Sequence, residues 1–327
     1  MAAPIVHSQA APIRIVLDTD PGIDDALAIL LAIASPELDL AAVTVTGGNC
    51  SLAQGVRNAL AVLEMAGSDV PVVPGVALPL IRPPFTAEET HGNTGLGNAQ
   101  LPEPTIRPAA DHAVDRIIRE IMTADQPVTL VAVAPLTNVA LAIRREPQIV
   151  ERVREVIVMG GAFDVPGNTT PLAEFNVYVD PHSAHIVLHS GLPITLISWD
   201  ITSKVLFNQE HVDHLLTVAS PVTRFIADAT SFYIDFHRRY FGYAGCSIND
   251  PCALALAFRP ELATYEQVFV DVEIDSPKSM GKTMADVLKV WNQSPNVRFV
   301  RSFDQAAFLA LFMERMEALA RRNPSAD

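Results

Sequence analysis

Asp18, Asp20, Asp24 and Asp25 fall within the stretch DTDPGIDDALAILLAIA, residues Asp18 to Ala34. The first two close a short β-branched apolar run, IRIVLDT (Ile13–Thr19), and the last two open a segment in which Leu, Ile and Ala recur at helical spacing. Carboxylates this close repel one another, so either positive charge sits among them or one keeps its proton. The start of a helix accounts for part of the crowding. One aspartate can cap free N–H groups and a second can face the positive end of the macrodipole. Two remain, and a hard divalent cation, which takes oxygen ligands and compensates several carboxylates, accounts for them.

Other polar residues collect in similar places. Asn49 follows the apolar run DLAAVTVTGG, and Thr137 and Asn138 follow VTLVAVAP. Asn168, Glu174 and Asn176 lie in the polar loop AFDVPGNTTPLAEFNVYVD after EVIVMGG, and Asn249 and Asp250 precede the apolar run PCALALAF. For Asp250 a plain helix cap is the competing reading. In an open parallel sheet, ligands bind at the carboxyl ends of the strands, which is where these residues fall.

The elements that position them follow from the apolar pattern. Strands are expected at Ile13–Thr19, Asp39–Asn49, Val70–Gly75, Val128 onward, Glu155–Gly161 and Pro193–Asp200. Helices are expected from the second aspartate pair to before Pro36, over Ser51–Ala66, over Asp111–Thr123 and after APLTN. Near-continuous apolar strands alternating with amphipathic helices predict an α/β fold: an open, mostly parallel, Rossmann-like sheet flanked by helices. The last third is mixed. Helices are expected over Gln209–Ala219, Pro221–Phe241, Asp250–Phe258 and Asp304–Arg322, with strands at QVFVDVEI and NVRFVRS.

The 327 residues are 49% hydrophobic and 18% charged, enough to bury a large core. No linker or charge run divides them, so one domain over 1–327 is expected, with residues 1–12 as a flexible extension. A net charge of −14 argues against nucleic-acid or anionic-membrane partners. Cys50, Cys246 and Cys252 cannot all pair and lack zinc-site spacing, so they read as reduced packing residues. MAAPIVHSQAAPIRIV lacks the form of a signal peptide and no run is long and apolar enough to span a bilayer, so a cytoplasmic protein is expected.

An Asp-x-Asp pair after a strand also occurs in haloacid dehalogenase-like phosphatases, but those continue with Gly-Thr or a similar pair, where this chain has Pro21. An EF-hand loop is excluded by the position of Gly22 and by the lack of a closing Glu. DTDPGIDDALAILLA instead resembles the signature of the inosine–uridine preferring nucleoside hydrolase family. TVTGGN, HGNTGLG, VAVAPLTNVALA, VIVMGGA, AEFNVYVDPHSA, NDPCALA and GKTMAD resemble further family segments in the family's order, from Ile13 to Phe312.

The resemblance implies calcium-dependent hydrolysis of the N-glycosidic bond of ribonucleosides to ribose and free base, a role in nucleoside salvage, and a homodimer or homotetramer. It implies that Asp20, Asp25, Asp250 and the main-chain carbonyl of Val133 hold calcium. Asp24, Asn49, Asn168, Glu174 and Asn176 would hold the ribose hydroxyls, with Met159 lining the sugar pocket. Asp24 and Asp25, neighbours on a helix, project about 100° apart, which suits one for the ion and the other for the sugar. Asp20 would be the general base. Where relatives carry a His before the last calcium aspartate this chain has Asn249, and an amide delivers no proton at neutral pH. A leaving-group acid or base contact is therefore sought in His91, with His237 and Tyr240 as other candidates and His237 read chiefly as a surface or packing residue. Trp199 and Trp291 are read as structural. A non-catalytic nucleoside- or ribose-binding protein on the same fold and a metal-dependent phosphatase remain the alternatives.

Overall fold

The structure is a computed structural model and describes residues 11–324. β1 (Ile13–Thr19) leads into α1 (Ile23–Ala34) and β2 (Leu38–Val45) into α2 (Leu52–Met65). β3 (Val72–Pro74) ends in a long loop that carries the single turn α3 (Glu88–His91) before α4 (Ala113–Thr123). The alternation resumes with β4 (Thr129–Ala132), α5 (Thr137–Arg145), α6 (Ile149–Arg152) and β5 (Glu155–Met159). Then come α7 (Phe175–Val179), α8 (Pro181–Leu188), β6 (Ile194–Ile197) and the turn α9 (Trp199–Thr202). β7 (Leu206–Phe207), α10 (Gln209–Leu215), α11 (Pro221–Phe241), β8 (Cys246–Ser247) and α12 (Asn249–Leu256) follow. β9 (Ala263–Val268), β10 (Val270–Val272), β11 (Thr283–Ala285), β12 (Val297–Phe303) and α13 (Gln305–Arg322) complete the order.

Eight strands make one sheet in the order β3-β2-β1-β4-β5-β6-β12-β9, and only β12–β9 pair antiparallel. Chain order reverses between β1 and β4, so a crevice opens beyond their carboxyl ends. Alternate side chains serve opposite cores, as the period of a strand dictates. Leu17, Val43, Val131 and Ile157 pack with α1, α12 and α13, whereas Val16, Leu130, Val156 and Leu196 pack with α4, α5 and α8. In α1 every residue but Ile33 is buried, because α2, α12 and α13 surround it. A helix apolar on every side belongs inside.

The sequence-based reading departs from the structure at several element ends. β2 stops at Val45, since Gly47 turns away to donate its N–H to the Val76 carbonyl at 2.8 Å. The strand expected over Pro193–Asp200 ends at Ile197. Trp199–Thr202 turns helical instead, and the Asp200 carboxylate accepts the N–H groups of Phe163 and Asp164 at 2.9 and 2.7 Å. QVFVDVEI is not one strand. It divides at Phe269, with β9 on β12 and β10 on β11. The helix expected to Ala219 ends at Leu215. All three cysteines are free and buried, and burial pushes their thiols up. Trp291, at 45% exposed, meets Phe269 edge-on rather than packing in a core. The expected N-terminal extension lies, apart from Ala11 and Pro12, outside the described residues. Among the described residues no helix is long and apolar enough to cross a membrane.

Leu27 in α1 is fully buried. Leu27→Ala is expected to destabilise the protein by about 2–5 kcal/mol, read as a lowered urea midpoint with an unchanged slope.

Candidate active site

β1 and β4 deliver their ends to one cleft, lined among others by Asp24, Asn49, His91, Val133, Met159, Asn168, Glu174, Asn176, Asn249 and Asp250. Asp20 and Asp25 are fully buried beside it. The residues that the resemblance implied for ion and sugar thus lie in or beside this cleft, whereas Tyr240, Asp18, Thr137 and Asn138 do not line it.

Asp25 is the most heavily bonded of the acidic residues. Its Oδ1 accepts the Thr19 hydroxyl and the Asp20 N–H, and its Oδ2 accepts the Gly22 N–H at 2.9 Å and the Asn49 amide at 2.8 Å. Asp20 Oδ2 accepts the Asn49 N–H at 2.6 Å, while Asp20 Oδ1 is buried without a partner among the described residues. Asp24 Oδ2 accepts the Asn249 amide at 2.8 Å and the Tyr233 hydroxyl at 3.3 Å. Carboxylate oxygens of Asp24, Asp25 and Asp250 lie within 4.8 Å of one another. Burial raises the pKa of all four, most strongly for Asp20 and Asp250, and their mutual repulsion raises Asp20, Asp25 and Asp250 further. The donor set is oxygen only, crowded and in need of positive charge. A hard divalent cation fits it.

Asp18, the first of the four aspartates in the opening motif, does something else. Its Oδ1 accepts the Thr44 hydroxyl at 2.6 Å and the Asn138 amide at 2.8 Å, which ties β1 to β2 and α5 behind the cleft. Desolvation pushes its pKa up to about 7. Asn138 and Thr137 are committed to the scaffold, the latter donating to Asp180 at 2.7 Å.

The opposite wall comes from the loop after β5. Glu174 caps α7, accepting the N–H groups of Gly161 and Asn176 at 2.9 Å and of Val177 at 3.2 Å. The Asn176 amide donates to the carbonyls of Val133 and Met159 at 3.0 and 3.2 Å, which leaves its Oδ1 as the acceptor for a ligand. Asn168 Oδ1 accepts the Phe175 N–H at 2.9 Å. The late segment GKT acts through this loop. Lys282 Nζ donates to the carbonyls of Ala162 and Phe163, each at 2.8 Å, and Thr283 Oγ1 accepts the Ala162 N–H at 3.0 Å.

The third wall is aromatic. His91 is buried, and its Nδ1 accepts the Ile23 N–H at 3.1 Å, so its one proton sits on Nε2. Burial lowers its pKa to about 4, against the pull of Asp25, and the ring is neutral near pH 7. His237 is not a surface residue. It lines the cleft, with Nδ1 on the Tyr233 carbonyl at 2.9 Å and Nε2 on the Ser247 hydroxyl at 2.8 Å. Tyr240 is 62% exposed and stands outside the cleft. Trp199, read as structural, is buried and also lines the cleft. Sequence reasoning missed Tyr233. Its spacing from His237 and Phe241, i, i+4 and i+8 on α11, puts all three on one helix face and was the available signal.

The family profile of inosine-uridine preferring nucleoside hydrolases matches residues 15–310. The chain is 38% identical over 310 residues to a pyrimidine-specific ribonucleoside hydrolase of Enterobacter sp. (strain 638), covering 94% of this chain and 99% of that protein. It superposes on the solved purine-preferring ribonucleoside hydrolase from Gardnerella vaginalis with a TM-score of 0.90 at 32% identity, covering 94% and 99% of the two chains. A plant nucleoside hydrolase gives 0.87 at 33%, with the same coverage. The chain belongs to the inosine-uridine preferring nucleoside hydrolase family. It is a hydrolase of N-glycosyl compounds and cleaves the N-glycosidic bond of ribonucleosides. The dehalogenase-type phosphatase reading falls with that match.

Two predictions follow from this geometry. A Cβ on Gly48 would meet Asp20 Oδ2 at 2.0 Å. Gly48→Ala is expected to displace that carboxylate from the Asn49 N–H and lower kcat by about tenfold or more in the fraction of protein that remains folded. The folded His237 ring titrates near 4 against an ordinary 6.5, because burial disfavours its charged form. Between those values the unfolded chain holds the extra proton, so the contribution is complete above 6.5 and is lost as pH falls toward 4. Urea unfolding should find the wild type on the order of 2 kcal/mol less stable at pH 5 than at pH 7.5 from this ring, a component missing in His237→Gln.

Proposed function

We propose that the chain is a calcium-dependent ribonucleoside hydrolase in which Asp20 is the general base. The observation that carries this reading is the buried, unpartnered Oδ1 of Asp20 beside the group formed by Asp24, Asp25 and Asp250. Asp20, Asp25, Asp250 and the Val133 carbonyl would hold the cation, which supplies positive charge to the cage and makes water in contact with it more acidic.

Breaking the ribosyl C–N bond develops positive charge at the anomeric carbon, and a pocket dense in carboxylate and amide oxygens stabilises such a transition state. Asp20 takes the proton from the attacking water. Asp24, Glu174, Asn168 and the Oδ1 of Asn176 accept from or orient the ribose hydroxyls, fixing the ring relative to that water. Asn49 clamps Asp20 and Asp25, and Asn249 clamps Asp24, so each contributes through a carboxylate it positions. On the base side, neutral His91 offers Nε2–H as a hydrogen-bond donor to the leaving base, among Tyr233, Trp199 and Phe241. An assembly of two or four copies in the cytoplasm belongs to the same reading. The exposed apolar run of Leu288, Val290 and Trp291 supplies a surface that a second copy would cover.

Inosine, uridine, cytidine and adenosine are incubated separately with the protein and ribose release is measured. Ribose should appear without phosphate, be lost on exhaustive chelation and return with calcium. Asp20→Asn should lower kcat by about 10²–10⁴-fold, and Asn168→Ala should raise KM and lower kcat together. Turnover that survives chelation, or an Asp20→Asn protein of near-normal kcat, overturns the assignment. Nucleoside binding with no turnover would favour the non-catalytic alternative.

A further inference from the structure

Outside the cleft, a second set of ligating side chains gathers between the C-terminal end of α8 and β10. His185, in the last turn of α8, and His189, the residue that caps it, stand four positions apart with ring centroids 4.4 Å apart. Asp271 reaches them from β10, its Oδ1 3.0 Å from His189 Nε2 and 3.4 Å from His185 Nδ1. One nitrogen from each ring and one carboxylate oxygen lie within 4.8 Å of one another. Bonds of about 2.0–2.2 Å at tetrahedral angles set ligand atoms roughly 3.3–3.6 Å apart, close to both measured edges.

A simple histidine–carboxylate hydrogen bond explains the His189 contact but not His185. His185 Nδ1 is screened from solvent and has no hydrogen-bond partner among the described residues, so its approach to Asp271 is not a hydrogen bond. A buried ring nitrogen left in that state costs free energy. A metal ion on its lone pair would remove the cost. Two further features favour a cation there. Asp271 Oδ1 also accepts the Val272 N–H at 2.8 Å, which orients the carboxylate as outer-shell partners of metal ligands do. The last carbonyls of α8 add partial negative charge at the site. The three side chains keep between 32% and 40% of their surface exposed, so an ion can enter.

We propose that His185, His189 and Asp271 bind a divalent transition ion of the zinc type, with a fourth position open to solvent. Two imidazoles and one carboxylate select such an ion over calcium or magnesium, which take oxygen. The site is therefore chemically distinct from the oxygen-only cage in the cleft. The ion clamps α8 to β10. β10 pairs with β11, whose Thr283 accepts the Ala162 N–H, so the clamp braces the hairpin that holds the Glu174 loop.

The test uses the full chain, stripped by chelation and then held in excess calcium so that oxygen-rich positions are filled. Cobalt(II) serves as the probe, because tetrahedral cobalt absorbs strongly in the visible and octahedral oxygen-bound cobalt does not. One equivalent should produce the tetrahedral band, and zinc should abolish it by competition. His185→Ala, His189→Ala and Asp271→Asn should each weaken cobalt binding by more than the roughly 10–100-fold that losing an outer-shell partner costs. His214→Ala, which removes a surface histidine paired with Glu317, should leave it unchanged. Zinc should raise the melting temperature of the wild type and not of the three variants. No visible band at millimolar cobalt overturns the proposal, as does equal binding by the triple variant.

Discussion

The constraint on which this structure turns is the confinement of five carboxylates, Asp18, Asp20, Asp24, Asp25 and Asp250, out of water around the ends of β1 and β4. Desolvation alone raises the pKa of each, and repulsion adds to it for Asp20, Asp25 and Asp250. Nothing in hydrophobic burial favours such an arrangement. It persists because amide and hydroxyl donors are built around it: Thr19, Asn49 and backbone N–H groups on Asp25, Asn249 and Tyr233 on Asp24, Thr44 and Asn138 on Asp18. Among the described residues those donors leave Asp18 Oδ2 and Asp20 Oδ1 without a partner, and the cation of the proposed function would take up the latter. Under the proposed function, stability is given up locally so that negative charge can face a developing positive one.

The rest of the fold makes that concession affordable. A parallel sheet covered on both faces gives two cores, and α1 is enclosed so completely that its N-terminal turn cannot drift from β1. The glycines near the site serve close approach. A Cβ on Gly22 would strike His91 Nδ1 at 2.7 Å, and one on Gly48 would strike Asp20. The loop carrying Asn168 and Glu174 has little regular structure of its own. Asp200, Lys282 and Thr283, from distant parts of the chain, hold its first turn. The segment GKT, legible in the sequence only as a family likeness, thereby acquires a physical role.

The histidines show most clearly how far local reading reaches. His91 sits in an irregular loop, where nothing in composition tells a solvated ring from a buried one. Its place is set by Ile23, 68 positions away, whose N–H it accepts. His237 read as a surface or packing residue and proves to be buried at the cleft wall, because Ser247 on β8 and the Tyr233 carbonyl satisfy both ring nitrogens. Trp199 read as structural because a buried tryptophan is more often a packing residue than a stacking partner. The chain turns helical before the strand expected over Pro193–Asp200 would have ended, and the ring enters the cleft.

The mostly parallel character of the sheet, the acidic turn after β1 and the grouping of polar residues at strand ends were settled by the sequence itself, because apolar periodicity and carboxylate spacing are local properties. Tertiary structure decided which aspartate serves the scaffold and which the site. Asp18 and Asp20 are two residues apart and chemically identical; only the arrival of Thr44 and Asn138 at one, and of Asn49 at the other, separates them. It also decided the aromatic wall and the histidine pair facing Asp271, since each joins elements far apart in the chain. Residue type sets what chemistry a side chain can do, whereas its hydrogen-bond partners and exclusion from water set which of those options it takes.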